Sequence, residues 1–524
     1  MAIRGMVVAP HHLAAEAGVS ILRDGGNAIE AMIAAAATVA VVYPHMNGIG
    51  GDGFWLIGKP GLPPTGIAAC GKTGQRVTTD LYRQAGYPTI PGRGALAANT
   101  VAGTLSGWDA AFALSKREGG TLPLEHLLMH AIHYAENGFS LTASQAQLSR
   151  AKLPDLRDVP GFADAFLVSG QPPDRGFLFR QPRLANTLRS LAREGIDGFY
   201  RGELARRVAA DLERVGSPLV LDDLQAHRAE TVAPLAVTLD CGTVFNLPPP
   251  TQGLASLMIL GIFDRMNITE ADGFDHVHAI VEATKRAFLV RDREVTDPAF
   301  MRRDPASLLA TGTLASLAEQ IDREKALPWP VSEAPADTIW MGTVDARGLV
   351  VSFIQSIYWE FGSGIVLPDT GILWQNRGSS FELREHCLNS LRPRRLPFHT
   401  LNPALAYLHD GRIMAYGTMG GDGQPQTQAA IFTRYIHFGQ GLQEALSAPR
   451  WLLGRTWGDP STTLKLEDGF APAVATKLAE AGHIVEILPR FHDTFGHAGA
   501  AVRHSTGVLE GAGDPRSDGR AAGF

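Results

Sequence analysis

Thirteen consecutive residues, Ala31 to Tyr43 (AMIAAAATVAVVY), carry no charge. Such a run is shorter than the roughly 18–20 apolar residues that cross a bilayer. It predicts a helix apolar on every side, and such a helix is stable only when buried all round. Burial of that kind demands a large core, and a chain of 524 residues, 45% of them apolar, is long enough to build one. Upstream, His12 to Arg23 has apolar residues at helical spacing. The Gly25-Gly26 pair ends that helix before the second begins near Asn27.

Strands interrupt the helices. FWLIG, after the turn GIGGDG, reads as a short buried strand, with similar strands expected around residues 66–70 and 96–101. From 107 to 330 the pattern is mainly helical, with amphipathic stretches near 123–136, 184–194, 202–214 and 275–292. Beyond Thr338, TIWMGTVD and LVVSFIQSI flank ARG as a hairpin, and 402–408 with 412–417 predict another. Strands in both halves with helices between them imply sheets covered by helices, a layered α/β (α+β) architecture.

Charge and cysteine content exclude several classes. Forty-seven basic and fifty-three acidic residues leave a net charge of −6. No basic block is dense enough to follow a nucleic-acid backbone, and RPRRL at 392–396 reads as a solvated loop. Three separated cysteines, Cys70, Cys241 and Cys387, suit a reducing compartment. The N-terminus lacks the apolar core of a signal peptide, so a cytoplasmic protein with no membrane partner is expected.

Three motifs imitate known sites. GIAACGKT at 66–73 matches the phosphate-binding pattern G-x-x-x-x-G-K-[ST], but PGLPPT before it and GQRVTTD after it lack the required strand and helix. Gly48, Gly50 and Gly53 fit G-x-G-x-x-G, yet they lead into a strand, which makes them a tight turn. His126, His130 and His133 share one helical face without an accompanying carboxylate pattern. No cofactor and no metal are expected.

Longer stretches carry more. AAEAGVSILRDGGNAIEAMIAAAATVAVVYPHMNGIGGDGF, NLPPPTQG, RDREVTDPAF, FGSGIVLPDTGIL, GTMGGDGQPQ and GDPRSDGRAAGF occur in that order over nearly the whole length. In them the chain resembles the gamma-glutamyltranspeptidase family of N-terminal-nucleophile hydrolases. The resemblance implies a four-layer αββα sandwich and a precursor that cuts itself between Asp337 and Thr338. The products would be a large fragment, 1–337, and a small one, 338–524, intertwined as a heterodimer, with higher oligomers left open. The chemistry has its own logic. A threonine hydroxyl is a weak nucleophile, but a freed α-amine with a pKa near roughly 7.7–8.0 is a base on the same residue.

The resemblance further implies that Gly420 and Gly421 supply the oxyanion amides and that Ser356 hydrogen-bonds the nucleophile. Thr400 matches one of two serines that hold a substrate carboxylate, and His399 replaces the other. The arginine and the acidic residue that grip a glutamyl head align with Thr79 and Ser380, and an asparagine aligns with Tyr358. Arg377 stands where the transpeptidases have glutamine, and its planar fork suits a carboxylate. With Tyr358-Trp359 beside it, and with DTIWMG, QSIYWEFGSG and WQNRG, the chain is similar to the oxamate amidohydrolase branch. The expected reaction is hydrolysis of oxamate, a small anionic amide, to oxalate and ammonia. A γ-glutamyl hydrolase or transpeptidase is the nearest alternative. A nucleotide binder and an unprocessed, inactive binding protein are further ones.

Overall fold

The computed structural model describes residues 1–329, 337–454 and 461–524. Its nucleus is the uncharged run. Helix Ala28–Val42 has all fifteen residues buried. Its start is fixed by a reciprocal cap: Glu30 N donates to Asn27 Oδ1 (2.9 Å) and Asn27 N to Glu30 Oε2 (3.0 Å). Together with His12–Arg23 and Thr104–Arg117 it covers the outer face of a seven-stranded sheet.

That sheet runs in the order Arg520–Gly523, Gly5–Ala9, Asp337–Asp345, Val350–Tyr358, Asp52–Lys59, Leu62–Ala69, Glu230–Val232, antiparallel throughout. A six-stranded antiparallel sheet faces it, ordered Leu509–Gly513, Ala498–Arg503, Ile413–Thr418, Ala404–Leu408, Gly242–Asn246, Leu235–Leu239. Helices Gly253–Phe263, Phe274–Glu294 and Gly423–Phe432 close its far side. The layers are therefore helix, sheet, sheet, helix, as expected. Among the described residues, no helix is long and apolar enough to cross a membrane.

Between the sheets lies a core of Val8, Phe54, Trp340 and Ile354 from one side and Leu405, Ala415 and Ala501 from the other. Trp340 fits only because glycines face it: a Cβ at Gly417 would sit 2.3 Å from the indole and one at Gly499 2.5 Å. Side chains alternate along Asp337–Asp345. Ile339 and Met341 join the helical side, while Trp340 and Val344 point at the second sheet. Thr338 shares the parity of Trp340 and is buried.

The helices and hairpins fall close to their expected places, including Leu124–Asn137, Glu203–Arg214 and Phe274–Glu294. Three readings need correction. Residues 96–101 form no strand. Ala95–Ala97 is a 3-10 turn, and the backbone of Asn99 and Val101 is spent on Gly74 and Lys72 in crossing loops rather than on a ladder. A strand, Leu62–Ala69, does lead into GIAACGKT, but no helix follows until Thr79–Gln84, and Thr73 is tied to Arg392 and Arg395. Arg395 in RPRRL is buried, donating to Ser390 O (2.7 Å) and Thr296 Oγ1 (2.9 Å), so that loop is anchored rather than solvated.

Candidate active site

Thr338 sits near the start of a central strand, facing the gap between the sheets. Opposite it, Ile413–Thr418 ends and the chain turns through Gly420 (φ +110°) and Gly421 (φ +50°) into helix Gly423–Phe432. Positive φ strains any residue with a Cβ, so this turn depends on glycine. The first turn of the helix brings Gln424 Nε2 to 3.5 Å from Thr338 Oγ1.

The neighbouring strand supplies Ser356 and Tyr358. Its register against Asp337–Asp345 slips between Gln355 and Tyr358, and Tyr358 adopts φ +82°. Ser356 Oγ accepts Tyr358 N (2.8 Å), which fixes this bulge. Backbone passes very close here. A Cβ at Gly51 would lie 2.1 Å from Ser356 O and one at Gly50 2.2 Å from Leu373 O, which is the physical need behind the GIGGDG turn.

Arg377 opens the 3-10 helix Arg377–Ser380 and is buried, at 1% exposure. Its guanidinium lies 3.9 Å over the Tyr358 ring and donates from Nη1 to Thr400 Oγ1 (3.4 Å). Nε and Nη2 have no hydrogen-bond partner among the described residues, and no carboxylate pairs with it there. Burial pushes its pKa down to about 10, with Tyr358, Asp52 and Cys70 opposing. A buried cation held this way is electrostatically unsatisfied.

His399 and Thr400 are held by NLPPPTQG. His399 N donates to Pro250 O and Gln252 N to His399 O, both at 2.8 Å. His399 Nε2 lies 3.3 Å from Asp52 Oδ2 without hydrogen-bond alignment. Burial, then Arg377, lowers the imidazole pKa to about 4, against Asp52. Asp52 itself is fixed through Oδ1 by Gly71 N, Gly103 N and Gln375 Nε2.

A single hydrogen-bonded web joins these parts. Arg377 reaches Thr400, whose carbonyl accepts Gln252 Nε2 (2.7 Å) and Asn402 Nδ2 (2.9 Å). Gln252 Nε2 also donates to Gly421 O (2.8 Å), and Asn402 Nδ2 to Gln424 Oε1 (3.3 Å). Arg291 Nη1 steadies Gln252 Oε1 and Asp422 Oδ1.

Of the residues expected from the sequence, Thr338, Ser356, Tyr358, Arg377, His399, Thr400, Gly420 and Gly421 therefore converge. Asp337 continues the strand by pairing with Tyr358, and residues 330–336 ahead of it lie outside the described ones. Ser380 ends its 3-10 helix with Oγ buried and without a hydrogen-bond partner among the described residues. Thr79 merely opens helix Thr79–Gln84. Asp52, Gln252, Asn402 and Gln424 were not singled out, although three of them stand inside GIGGDGF, NLPPPTQG and GTMGGDGQPQ.

Nearby, a cavity of about 810 Å³ is lined in part by Cys70, Pro250, Arg302 and Arg394, and takes in none of the expected site residues. Elsewhere His278, Glu282 and His483 bring ligand atoms within 4.8 Å of one another, but Glu282 is spent on Lys285 and Arg286. On the histidine face, His126 meets Asp24 and His133 meets Asn137.

A threonine at the start of a strand, between two sheets sandwiched by helices, defines a fold of the N-terminal-nucleophile hydrolase type. The family model described as Gamma-glutamyltranspeptidase matches residues 14–524, and the chain belongs to that family. It is 58% identical to the oxamate amidohydrolase proenzyme of Klebsiella pneumoniae over 99% of this chain and 98% of that one. It is 41% identical to a glutathione hydrolase-like proenzyme of Bacillus subtilis, over 99% and 98%. Among solved structures, a cephalosporin acylase from Bacillus halodurans superposes with a TM-score of 0.91 at 34% identity, covering 100% of this chain and 96% of that one.

Proposed function

We propose that this chain is a self-processing N-terminal-threonine amidohydrolase that converts oxamate to oxalate and ammonia. The carrying observation is Arg377, a buried guanidinium that pairs with no carboxylate among the described residues and is hydrogen-bonded into the web that reaches Thr338. The similarity to a relative named for oxamate supports the same substrate.

Scission between Asp337 and Thr338 divides the chain into 1–337 and 338–524 and frees the Thr338 α-amine. Thr338 Oγ attacks the amide carbonyl while that amine takes its proton. The N–H groups of Gly420 and Gly421 hold the oxyanion, each donor worth roughly 3 kcal/mol when aimed at developing charge. Gln252 and the positive φ angles keep this turn in place. The C–N bond breaks and ammonia leaves with the proton. Water then attacks the oxalyl ester, and Oγ recovers its hydrogen as oxalate departs. Arg377 binds the carboxylate in both steps, and Ser356 and Thr400 orient the reacting groups.

Hydrolysis of a γ-glutamyl amide is the second reading. Against it stand the Tyr358 ring under Arg377 and the neutral His399 in place of a hydroxyl. Ammonia release from oxamate, set beside turnover of a γ-glutamyl anilide, separates the two. Thr338→Ala should run as one chain on a denaturing gel and turn over nothing; a cleaved or active variant sinks the assignment.

A further inference from the structure

Tyr358 and Phe361 hold strained backbone conformations, at φ +82° and φ +60°, on either side of Trp359 and Glu360. Such conformations persist only where the surroundings over-determine them, and they gather at ligand-binding sites. What holds this stretch is Arg93. Its Nη1 donates to Glu360 O (2.6 Å) and to Gly362 O, and its guanidinium carbon lies 5.5 Å from the centre of the Trp359 ring. Gly92 gives that ring its room, since a Cβ there would lie 2.0 Å from the indole. Backbone bonds complete the clamp: Gly362 N donates to Trp359 O (2.7 Å) and Gly94 N to Ser363 O (2.8 Å).

The clamp reaches Arg377. Asn376, buried and next before it, accepts Trp359 N at Oδ1 (3.1 Å) and donates from Nδ2 to Gly92 O (2.8 Å), while its own N donates to Ile357 O (3.3 Å). The Trp359 and Tyr358 rings are 6.1 Å apart, within the range of an aromatic pair, and the Tyr358 ring carries the Arg377 guanidinium at 3.9 Å. Tyr358 also pairs with Asp337, the residue ahead of Thr338. A series of contacts therefore runs from Arg93 through Trp359 and Tyr358 to Arg377.

We propose that Arg93, acting through Trp359, is a positioning residue for the substrate carboxylate: it keeps the Tyr358 ring beneath Arg377 and so fixes the aim of that guanidinium. The inference rests on the function proposed above, in which Arg377 binds the carboxylate. Among the described residues Arg377 has little else to orient it. Its Nη1 makes one long bond to Thr400 (3.4 Å), and Nε and Nη2 have no partner there. The Tyr358 face is then its main support, and that ring stands at the head of the strained stretch that Arg93 holds. A planar fork grips a carboxylate through two parallel bonds, which requires correct aim. Loss of Arg93 lets ring and fork drift and weakens the grip, while the Thr338 hydroxyl, its amine and the oxyanion amides are left in place.

The test compares oxamate with oxamide, its uncharged diamide, on mature enzyme. In Arg93→Met the KM for oxamate should rise about tenfold, the scale of one buried cation–π contact, with kcat little changed. For oxamide kcat/KM should stay at the parent value, and the Kd of oxalate, read by calorimetry, should rise by the same factor as the oxamate KM. Arg93→Lys, which keeps a charge over the indole, should recover part of the loss. An equal fall for oxamate and oxamide, or an unchanged oxalate Kd, makes Arg93 a loop anchor only and overturns the proposal while leaving the amidohydrolase reading intact. A parent enzyme that releases no ammonia from oxamate sinks that reading and this inference with it. If Arg93→Met fails to mature, Gly92→Ala displaces the same indole without removing the guanidinium, and the same oxamate, oxamide and oxalate measurements decide.

Discussion

Replacing Arg377 with methionine should make the protein no less stable while destroying its use of oxamate. The guanidinium is buried and burial pulls its pKa down from the ordinary guanidinium value to about 10, so folding disfavours the charged form. At about 1.36 kcal/mol per pKa unit, that is a penalty of about 3 kcal/mol at any pH well below 10. Against it stand one long bond to Thr400 and the stack on Tyr358, together worth about 1–2 kcal/mol. Methionine removes the penalty and retains much of the volume. Thermal melting of Arg377→Met at neutral pH should therefore match or exceed the parent. Oxamate loses two charge-assisted hydrogen bonds in the variant, about 3–4 kcal/mol, and kcat/KM should fall by about two to three orders of magnitude. Oxalate at about a hundred times its Kd should raise parent stability by about 2.7 kcal/mol and leave the variant unmoved. A strongly destabilised variant that still turns over oxamate normally would refute the reasoning, since Arg377 would then be structural.

Gly420→Ala meets φ +110°, so the turn must shift, and kcat should drop by about 10²–10³ with KM little changed; equal loss in both parameters argues against an oxyanion role. His399 binds its proton less readily when folded, at about 4 against 6.5. Its contribution is thus complete above pH 6.5 and is lost as pH falls through 4, by up to about 3 kcal/mol, and denaturant titrations of His399→Gln should show a flatter acid limb. Glu467 is buried between Arg516 Nε (2.9 Å) and the Arg450 backbone (3.0 Å). Neutralising it as Glu467→Gln should cost about 3–5 kcal/mol by leaving Arg516 short of charge, read as a lowered urea midpoint with unchanged oxamate KM.

What could be read in advance follows from what acts locally. The uncharged helix, the Gly25-Gly26 stop and the alternating hairpin after Thr338 are set by neighbours within a few residues, and they fall where expected. The strand expected at 96–101 failed because its apolar letters do not say that Asn99 and Val101 give their backbone bonds to a crossing loop. Arg395 and Arg377 look alike as letters and both are buried, but one is tied to carbonyls and the other keeps two nitrogens without a partner among the described residues. Thr338 was legible only through long ordered matches, since a threonine in a strand is otherwise ordinary. Gln252, Asn402 and Gln424 act through one another across long separations, which no local pattern reports.

Strand Asp337–Asp345 lies between Gly5–Ala9 and Val350–Tyr358, and Arg520–Gly523 pairs with the far side of Gly5–Ala9. Scission ahead of Thr338 would therefore leave two polypeptides, each contributing strands to both sheets and neither able to complete a sheet alone. Maturation of this kind is a ratchet. A processed molecule that came apart would have to re-pair all of these strands between separate chains, so its working lifetime would be governed by how slowly it unravels rather than by any equilibrium.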